Sequence, residues 1–375
     1  MERRPRRQAT GSLGRTRYSE ERCSASDVEE THPWRLNREI ASRGGDAVFQ
    51  RSNGTAPLSP NPLILDTDGG VDDAQALLML IGNERGPFAI TTVFGNVGLL
   101  TATRNILATL AVAGFDAPVH RGAALPLNQP IVNAKHIHGE DGLGGARLPT
   151  SIGQAASPDA IGFLRETLRN ARQRGEKVDL LMLGPLTNLA IALRLDPQIV
   201  EGIGRLTIMG GTLHGRGNTT PAAEFNIYAD PEAAGIVLSS AIATTIVPWE
   251  TCVAHRLSGL EVDDLFASVP DSRVKTLSFA LAAHARRTLS SHGEEDAMRF
   301  VDPLAAAIAI EDSIVMRSII ASVDVALAPG ITRGMTVVDP GGRLGTPPVR
   351  LIEQAKLDRL VALYAKSIGQ ISPTH

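Results

Sequence analysis

The sequence predicts an α/β protein with a Rossmann-like, mostly parallel central sheet and helices on both faces. Along most of the chain, short apolar runs alternate with segments of helical periodicity. The composition is 43% hydrophobic but only 4% aromatic. Such an aliphatic mixture is typical of buried parallel strands packed under helices.

The predicted elements follow one another in strand–helix order. The first strand is "PLILDTD" (62–68), and the helix "DDAQALLMLIGN" (72–83) comes next, with Gly82 near its end. A β-branched strand, "FAITTVFGN", then precedes the helix "LLTATRNILATLAVAG", which closes at Gly114. The alternation continues through "VDLLMLGPLTNLAIALRL", "GRLTIMGG", "DPEAAGIVLSS" and "ATTIVPW". In parallel sheets the ligand lies beyond the carboxyl ends of the strands, so the residues after each apolar run are the site candidates.

Two regions are predicted along the chain. Residues 1–59 are rich in Arg, Ser and Gly and lack hydrophobic periodicity, so we expect a flexible, disordered extension. Its Arg-rich start resembles an organelle transit peptide, but Glu20, Glu21, Glu29 and Glu30 argue against one. No linker-like stretch divides residues 60–375, which we predict to form a single domain.

Charge and cysteine content narrow the class of partner. The formal net charge is only −3, which gives no reason to expect nucleic acid or an anionic membrane as partner and favours a small-molecule ligand. No apolar stretch is long enough for a membrane span or a signal peptide. Cys23 and Cys252 are the only cysteines, so neither a disulfide framework nor a zinc site is expected. We therefore expect a cytoplasmic protein.

Four carboxylates crowd the end of the first strand. Asp66, Asp68, Asp72 and Asp73 lie within eight residues. An acidic helix cap accounts for one of them, but several like charges at close range require protonation or a cation. An all-oxygen cluster suits Ca²⁺ or Mg²⁺. The segment lacks the Thr expected of a haloacid-dehalogenase-like phosphatase, and no Gly-Lys-Ser/Thr triplet of a P-loop follows any strand.

The segment "DTDGGVDD" (66–73) resembles the Asp-Thr-Asp-Pro-Gly-x-Asp-Asp signature of the inosine–uridine-preferring nucleoside hydrolases, with Gly69 in place of Pro. Further motifs occur in the family's order, namely VFGN (93–96), HGEDGLGG (138–145), LGPLTNLA (183–190), MGG (209–211), GNTTPAAEFNIYADPEAA (217–234) and VDPLAAA (301–307). They cover residue 62 to the C-terminus, and the chain is identified as a member of this family.

The resemblance implies that water cleaves the N-glycosidic bond of a ribonucleoside, with Ca²⁺ as the only cofactor and a homodimer or homotetramer as the assembly. Asp68 matches the general base and also a metal ligand. The other matched metal ligands are Asp73, Asp302 and the backbone carbonyl of Thr187. The residues matched to the ribose hydroxyls are Asp72, Asn96, Asn218, Glu224 and Asn226, of which Asn96 also counts as catalytic, and Met209 lies against the sugar. Asp66 matches a position that supports the loop.

Several residues are candidates for the nucleobase end of the site. His138 matches a family position near the base. Many purine-cleaving members carry a histidine acid where this chain has Val301, which cannot donate a proton. His284 or His292 could supply that proton instead, or His284 could pack beside Leu277 and Leu281 while His292 faces solvent. Trp249 either stacks on the base or caps the core.

Two functional hypotheses remain open at this point. The first is an active Ca²⁺-dependent ribonucleoside hydrolase. The second is a catalytically impaired nucleoside-binding or scaffold protein that retains the family site. The presence of Asp68 favours the enzyme, because a binding protein has little use for a general base.

Overall fold

The computed structural model describes residues 61–369, so the predicted extension at residues 1–59 lies outside them. The strands are β1 (Leu63–Thr67), β2 (Ala89–Thr92), β3 (Val119–Arg121), β4 (Val178–Met182), β5 (Ile203–Met209), β6 (Thr244–Val247), β7 (Arg256–Ser258), β8 (Ala297–Arg299), β9 (Val315–Val325), β10 (Thr336–Asp339) and β11 (Pro348–Ala355). The helices are α1 (Val71–Gly82), α2 (Leu99–Ala113), α3 (Lys135–His138), α4 (Ala160–Arg174), α5 (Thr187–Leu195), α6 (Phe225–Ala229), α7 (Pro231–Leu238), α8 (Trp249–Ala254), α9 (Gly259–Ala267), α10 (Arg273–Ser291), α11 (Asp302–Ile310) and α12 (Leu357–Gly369). Two 3₁₀ segments span Pro197–Gly202 and Asp312–Ile314.

Nine strands form the central sheet in the order β10-β9-β11-β6-β5-β4-β1-β2-β3. Neighbours from β3 to β11 run parallel, and β9 runs antiparallel to both of its neighbours, β11 and β10. The predicted mostly parallel sheet is therefore confirmed. The strand order changes direction between β1 and β4, and this reversal opens a crevice at the carboxyl ends of the strands. β7 and β8 form a separate two-stranded antiparallel sheet.

Helices cover both faces of the sheet, as predicted, because alternate strand residues point in opposite directions. Leu63 and Leu65 of β1 pack into one hydrophobic cluster with Leu77 of α1. Ile64, between them, packs into a second cluster with Leu164 of α4. β1 is thus buried on both sides, which explains why it reads as a continuous apolar run.

The turn from β1 into α1 depends on a glycine with left-handed backbone geometry. Gly69 has φ +68°, and a Cβ there would lie 2.6 Å from Cα and 2.7 Å from the carbonyl oxygen of Ala102 in α2. The Nδ2 of Asn105, also in α2, donates to the carbonyl oxygen of Gly69 at 2.9 Å. The turn is therefore held directly against α2, and no larger residue fits there.

The predicted ends of α1 and α2 agree with the structure to within one or two residues where a local signal marks them. α1 begins at Val71, so Asp72 and Asp73 fall in its first turn, and Asp73 accepts from the N–H of Gly70 at 2.8 Å. α2 ends at Ala113 and is capped by Gly114, which has φ +65°. Within residues 61–369, no helix has the length and apolar character needed to cross a membrane.

Candidate active site

A cavity of about 600 Å³ opens at the carboxyl ends of the parallel strands, within the size range of small-molecule sites. The predicted site residues that line it are Asp72, Asn96, His138, Met209, Asn218, Glu224, Asn226, His284 and Asp302. Asp68, Asp73 and Thr187 are fully buried and do not line it. The first two are tied to its wall through Asn96.

Asn96 holds the Asp68 carboxylate in one orientation. The backbone N–H of Asn96 donates to Oδ2 of Asp68 at 2.7 Å, and its Nδ2 donates to Oδ1 at 2.8 Å. The same Nδ2 lies 3.1 Å from Oδ2 of Asp73. Burial, and then the charge of Asp73, raise the pKa of Asp68 well above its usual range. Asp68 is therefore a fixed carboxylate with a strong tendency to take up a proton.

Asp73 ties the β1–α1 turn together. Its Oδ1 accepts from the hydroxyl of Thr67 and, at 3.2 Å, from the N–H of Asp68, while its Oδ2 accepts from Gly70. Behind this turn, Oδ2 of Asp66 accepts from Thr91 and Asn188. These bonds explain how the chain can hold Asp66 and Asp73 fully buried within one short turn.

Three carboxylates, two of which line the cavity, lie close together and have the character of a cation site. Oxygen atoms of Asp72, Asp73 and Asp302 lie within 4.8 Å of one another. Among residues 61–369, His138 is the only basic side chain within 4 Å of this trio, with its Nδ1 3.7 Å from Oδ1 of Asp72. That oxygen is buried and has no hydrogen-bond donor in the described part of the chain. An all-oxygen, uncompensated donor set fits a hard cation such as Ca²⁺.

The carboxylates of this trio repel one another when they are ionised. Burial, followed by the charges of Asp72 and Asp73, raises the pKa of Asp302 well above its usual range. Burial raises the pKa of Asp72 to about 6. Asp72, expected only to bind ribose, thus belongs to the trio, whereas Asp68, expected as a ligand, does not; both roles stay predictions.

Glu224 and Asn218 shape the loop that leads into α6. Glu224 caps α6, and its carboxylate accepts from the N–H groups of Asn226, Ile227 and Gly211. Burial raises the pKa of Glu224 to about 7 despite these bonds. Asn218 Oδ1 accepts from the N–H of Phe225 at 2.9 Å. Both side chains therefore organise the cavity wall as well as facing the cavity.

Asn226 links two strand ends. Its Nδ2 donates to the carbonyl oxygens of Leu183 at 2.9 Å and Met209 at 3.1 Å. Thr187, at the start of α5, donates its hydroxyl to Asp230 at 2.7 Å. The Nδ2 group of Asn226 is thus bonded to the backbone, and Oδ1 is the amide atom left for contact with a ligand.

His138 is held as a neutral imidazole. The backbone N–H of Val71 donates to its Nδ1 at 3.1 Å, which assigns the ring proton to Nε2. Burial lowers the pKa of His138 to about 4. His138 can therefore donate a hydrogen bond at neutral pH without carrying a charge.

Two histidines of the α10 region line the cavity. Leu277 and Leu281 are buried on the face of α10 predicted from their spacing, and His284 follows on the same face and reaches the cavity. His284 Nε2 lies 2.9 Å from the carbonyl oxygen of Ile137. His292, just after α10, also lines the cavity, and its Nδ1 lies 2.8 Å from the carbonyl oxygen of Thr288.

The cavity wall also contains Trp249, which the sequence offered as a base-stacking or core residue, and Arg299 and Gln75, which the sequence did not single out. Trp249 lines the cavity and packs against the core, and the guanidinium carbon of Arg299 lies 5.7 Å from its ring centroid. Arg299 is ion-paired with Glu294. Val301 lines the cavity with an apolar side chain. Gln75 lines it too, and its position as the lone polar residue between Asp73 and Gly82 was the signal available in the sequence.

The chain is similar to known proteins over most of its length. A family model described as "Inosine-uridine preferring nucleoside hydrolase" matches residues 63–362. The chain is 42% identical over 217 residues to "Uridine nucleosidase 1" of Arabidopsis thaliana, which covers 57% of this chain and 63% of that protein. It is 38% identical over 295 residues to "Non-specific ribonucleoside hydrolase RihC" of Klebsiella pneumoniae (strain 342), covering 78% and 92%.

A solved structure has the same architecture. The "Plant nucleoside hydrolase - PpNRh1 enzyme" superposes with a TM-score of 0.75 at 30% sequence identity, covering 83% of this chain and 99% of the other. The similarity therefore extends over the sheet, its helices and the strand ends that form the cavity.

Proposed function

The chain belongs to the inosine–uridine-preferring nucleoside hydrolase family, and on this premise we propose that it hydrolyses the N-glycosidic bond of ribonucleosides in a Ca²⁺-dependent reaction, releasing ribose and the free nucleobase. Its sequence and architecture are those of a nucleoside hydrolase. The observation that carries the proposal is the buried Asp68 carboxylate, fixed by Asn96 next to a cavity with three further carboxylates.

Asp68 acts as the general base in this proposal. Cleavage of the C1′–N bond passes through an oxocarbenium-like state, which an incoming water molecule captures. Asp68 accepts the proton of that water, and the two hydrogen bonds from Asn96 keep its oxygens in a fixed position. A protein that only bound nucleosides would have no need of this arrangement, so we favour the enzyme over the binding protein.

The metal would be held by side chains of Asp68, Asp73 and Asp302 and the carbonyl oxygen of Thr187, and the carboxylate trio adds Asp72 to this set. When bound, Ca²⁺ supplies a positive charge that lowers the pKa of a coordinated water and orients the ribose diol. The chain's own contribution is to bury these oxygens without a lysine or arginine counterion in the described residues.

The remaining polar side chains bind the sugar in this proposal. Asp72, Asn96, Asn218, Glu224 and Asn226 face the same cavity and can pair with the ribose hydroxyls, while Met209 packs against the ring. Because each hydroxyl pairs with a polar side chain of the cavity wall in this proposal, a 2′-deoxyribonucleoside leaves one of these side chains unpaired and is rejected.

We place His138 and His284 at the nucleobase. Both line the cavity, and an imidazole is the usual side chain for proton transfer near neutral pH.

Self-association into a homodimer or homotetramer is also part of the proposal. Met316 and Ile320 on β9 and Val337 on the adjacent β10 are exposed apolar side chains at one edge of the sheet. An apolar strip of this kind is typical of a protein–protein contact. Light scattering coupled to size-exclusion chromatography measures the assembly directly. The cytoplasmic location stays a prediction from the sequence.

The proposal is tested with purified full-length protein, assayed on inosine, uridine, adenosine and cytidine after chelation and after return of Ca²⁺ or Mg²⁺. Turnover that disappears with chelator and returns with Ca²⁺ is the expected result. Asp73→Ala and Asp302→Ala should weaken Ca²⁺ binding in calorimetric titration, whereas Asp196→Asn, outside the cavity, serves as the matched control. Full turnover in chelator would overturn the calcium requirement, and no turnover on any nucleoside would overturn the activity.

A further inference from the structure

Gln75 is a polar residue in an otherwise apolar stretch of α1. It follows Asp72 by three residues, so both side chains project from one face of the helix. Both line the cavity. Gln75 is only 3% exposed, although every other residue between Asp73 and Gly82 is apolar or glycine.

The amide of Gln75 has an unused donor. Its Nε2 is buried, and no atom among residues 61–369 accepts a hydrogen bond from it. A buried donor without an acceptor destabilises a folded protein, so such groups are rare unless a ligand completes them. Gln75 lines the cavity, so a rotation of its terminal amide would bring Nε2 to an acceptor on the cavity occupant.

Two other side chains of the cavity, those of Val301 and His284, do not offer a free hydrogen-bond donor as Gln75 does. α1 packs along α11, which begins directly after Val301, and Val301 and Gln75 line the same cavity. Val301 cannot form a hydrogen bond through its side chain. His284 has its Nε2 within hydrogen-bonding distance of the carbonyl oxygen of Ile137, whereas the Gln75 donor is free.

We propose that Gln75 is a specificity-determining residue whose Nε2 donates a hydrogen bond to O2 of a pyrimidine nucleobase, an inference that rests on the proposed ribonucleoside hydrolysis. Asp72 is assigned to the ribose, and one turn along α1 from it brings Gln75 to the junction of sugar and base. An amide is a hydrogen-bond donor but no acid, so it suits a base that leaves without being protonated first.

The chemistry favours a carbonyl oxygen next to the glycosidic nitrogen. As the C1′–N1 bond breaks, its electron pair passes to N1 and is shared with O2. The water oxygen bonds to C1′, its proton passes to Asp68, and the released base anion takes a proton from solvent. A donor at O2 binds more strongly as that charge grows, and hence stabilises the transition state. Purines have no carbonyl group beside their glycosidic nitrogen.

The test compares Gln75→Met and Gln75→Leu with the wild-type holoenzyme on uridine, inosine and p-nitrophenyl riboside. The last substrate has no acceptor beside the bond that breaks. We expect kcat/KM on uridine to fall roughly ten- to hundredfold relative to p-nitrophenyl riboside, mainly through kcat. The melting temperature should stay equal or rise, because an unpaired buried amide has been removed.

Equal losses on uridine and p-nitrophenyl riboside, or a melting temperature that falls along with activity, would assign Gln75 a structural role and overturn the inference. A larger loss on inosine than on uridine would overturn the pyrimidine assignment. Active wild-type protein with an unchanged substrate ratio in both variants overturns the inference alone, whereas wild-type protein inactive on all three substrates overturns the proposed function as well.

Discussion

Replacing Gly95 by alanine is expected to displace the proposed general base without unfolding the protein. Gly95 follows β2, and a Cβ at this position would lie 1.9 Å from Oδ2 and 2.7 Å from Cγ of Asp68. Gly95 is not among the glycines with positive φ, so alanine adopts its backbone conformation without strain. The added methyl group therefore acts on one target, the Asp68 carboxylate.

The size of the effect follows from the contacts that Asp68 must give up. A carboxylate pushed out of its position loses the hydrogen bonds from Asn96 at 2.7 Å and 2.8 Å. Hydrogen bonds to charged groups contribute about 1.5–3 kcal/mol each, so the melting temperature should drop by several degrees. A base misplaced by about 1 Å loses roughly 10²-fold in rate, and complete loss of general-base catalysis reaches about 10⁴-fold.

The assay measures kcat on uridine and inosine, together with thermal melting. Gly98→Ala is the matched control, because it lies three residues along the same loop and a Cβ there meets nothing within 4 Å. We expect Gly95→Ala to lose between two and four decades of kcat while Gly98→Ala keeps wild-type activity. If Gly95→Ala retained kcat within threefold of that control, Asp68 could not be the base in the position described here.

Three further predictions follow from the same site. Asp68→Asn should abolish turnover while melting cooperatively, and wild-type rates in this variant would refute the mechanism. Burial raises the pKa of Asp66 to about 7, of Asp72 to about 6 and of Glu224 to about 7, so between about pH 4 and pH 7 the native state holds more protons than the unfolded chain. In chelator, the melting temperature should therefore fall as the pH rises through this window, because the native state loses stability as those protons leave. A flat or rising melting temperature contradicts this prediction. His284→Ala should lower kcat on inosine by roughly two decades but affect p-nitrophenyl riboside far less, since that leaving group needs no protonation; equal losses on both would remove His284 as the acid.

The fold could be predicted from the sequence because its signals are local. Leu63–Thr67 is a continuous apolar run ending in polar residues, and Gly69 and Gly114 mark the turn and the helix end at which they occur. These features depend on burial and backbone freedom within a few residues. The parallel direction of most strands then followed from the rule that strand–helix–strand units run parallel, whereas the order of the strands is known only from the structure.

The details of the site depend on contacts between distant segments, which spacing cannot reveal. Asn188 donates to Asp66, 122 residues away, and its Oδ1 accepts from the N–H of Ala123. The position of Arg299 over Trp249 likewise depends on how β8 packs on α8. The motif could assign Asp72 to ribose, but only the folded turn shows its oxygen beside those of Asp73 and Asp302.

The contact between Gly69 and α2 limits how this sequence can change over time. Proline, the usual family residue at this position, requires φ near −65°, whereas Gly69 has φ +68° and lies against the backbone of Ala102. Replacing Gly69 by proline would therefore require a different backbone angle in the turn as well as a displacement of α2.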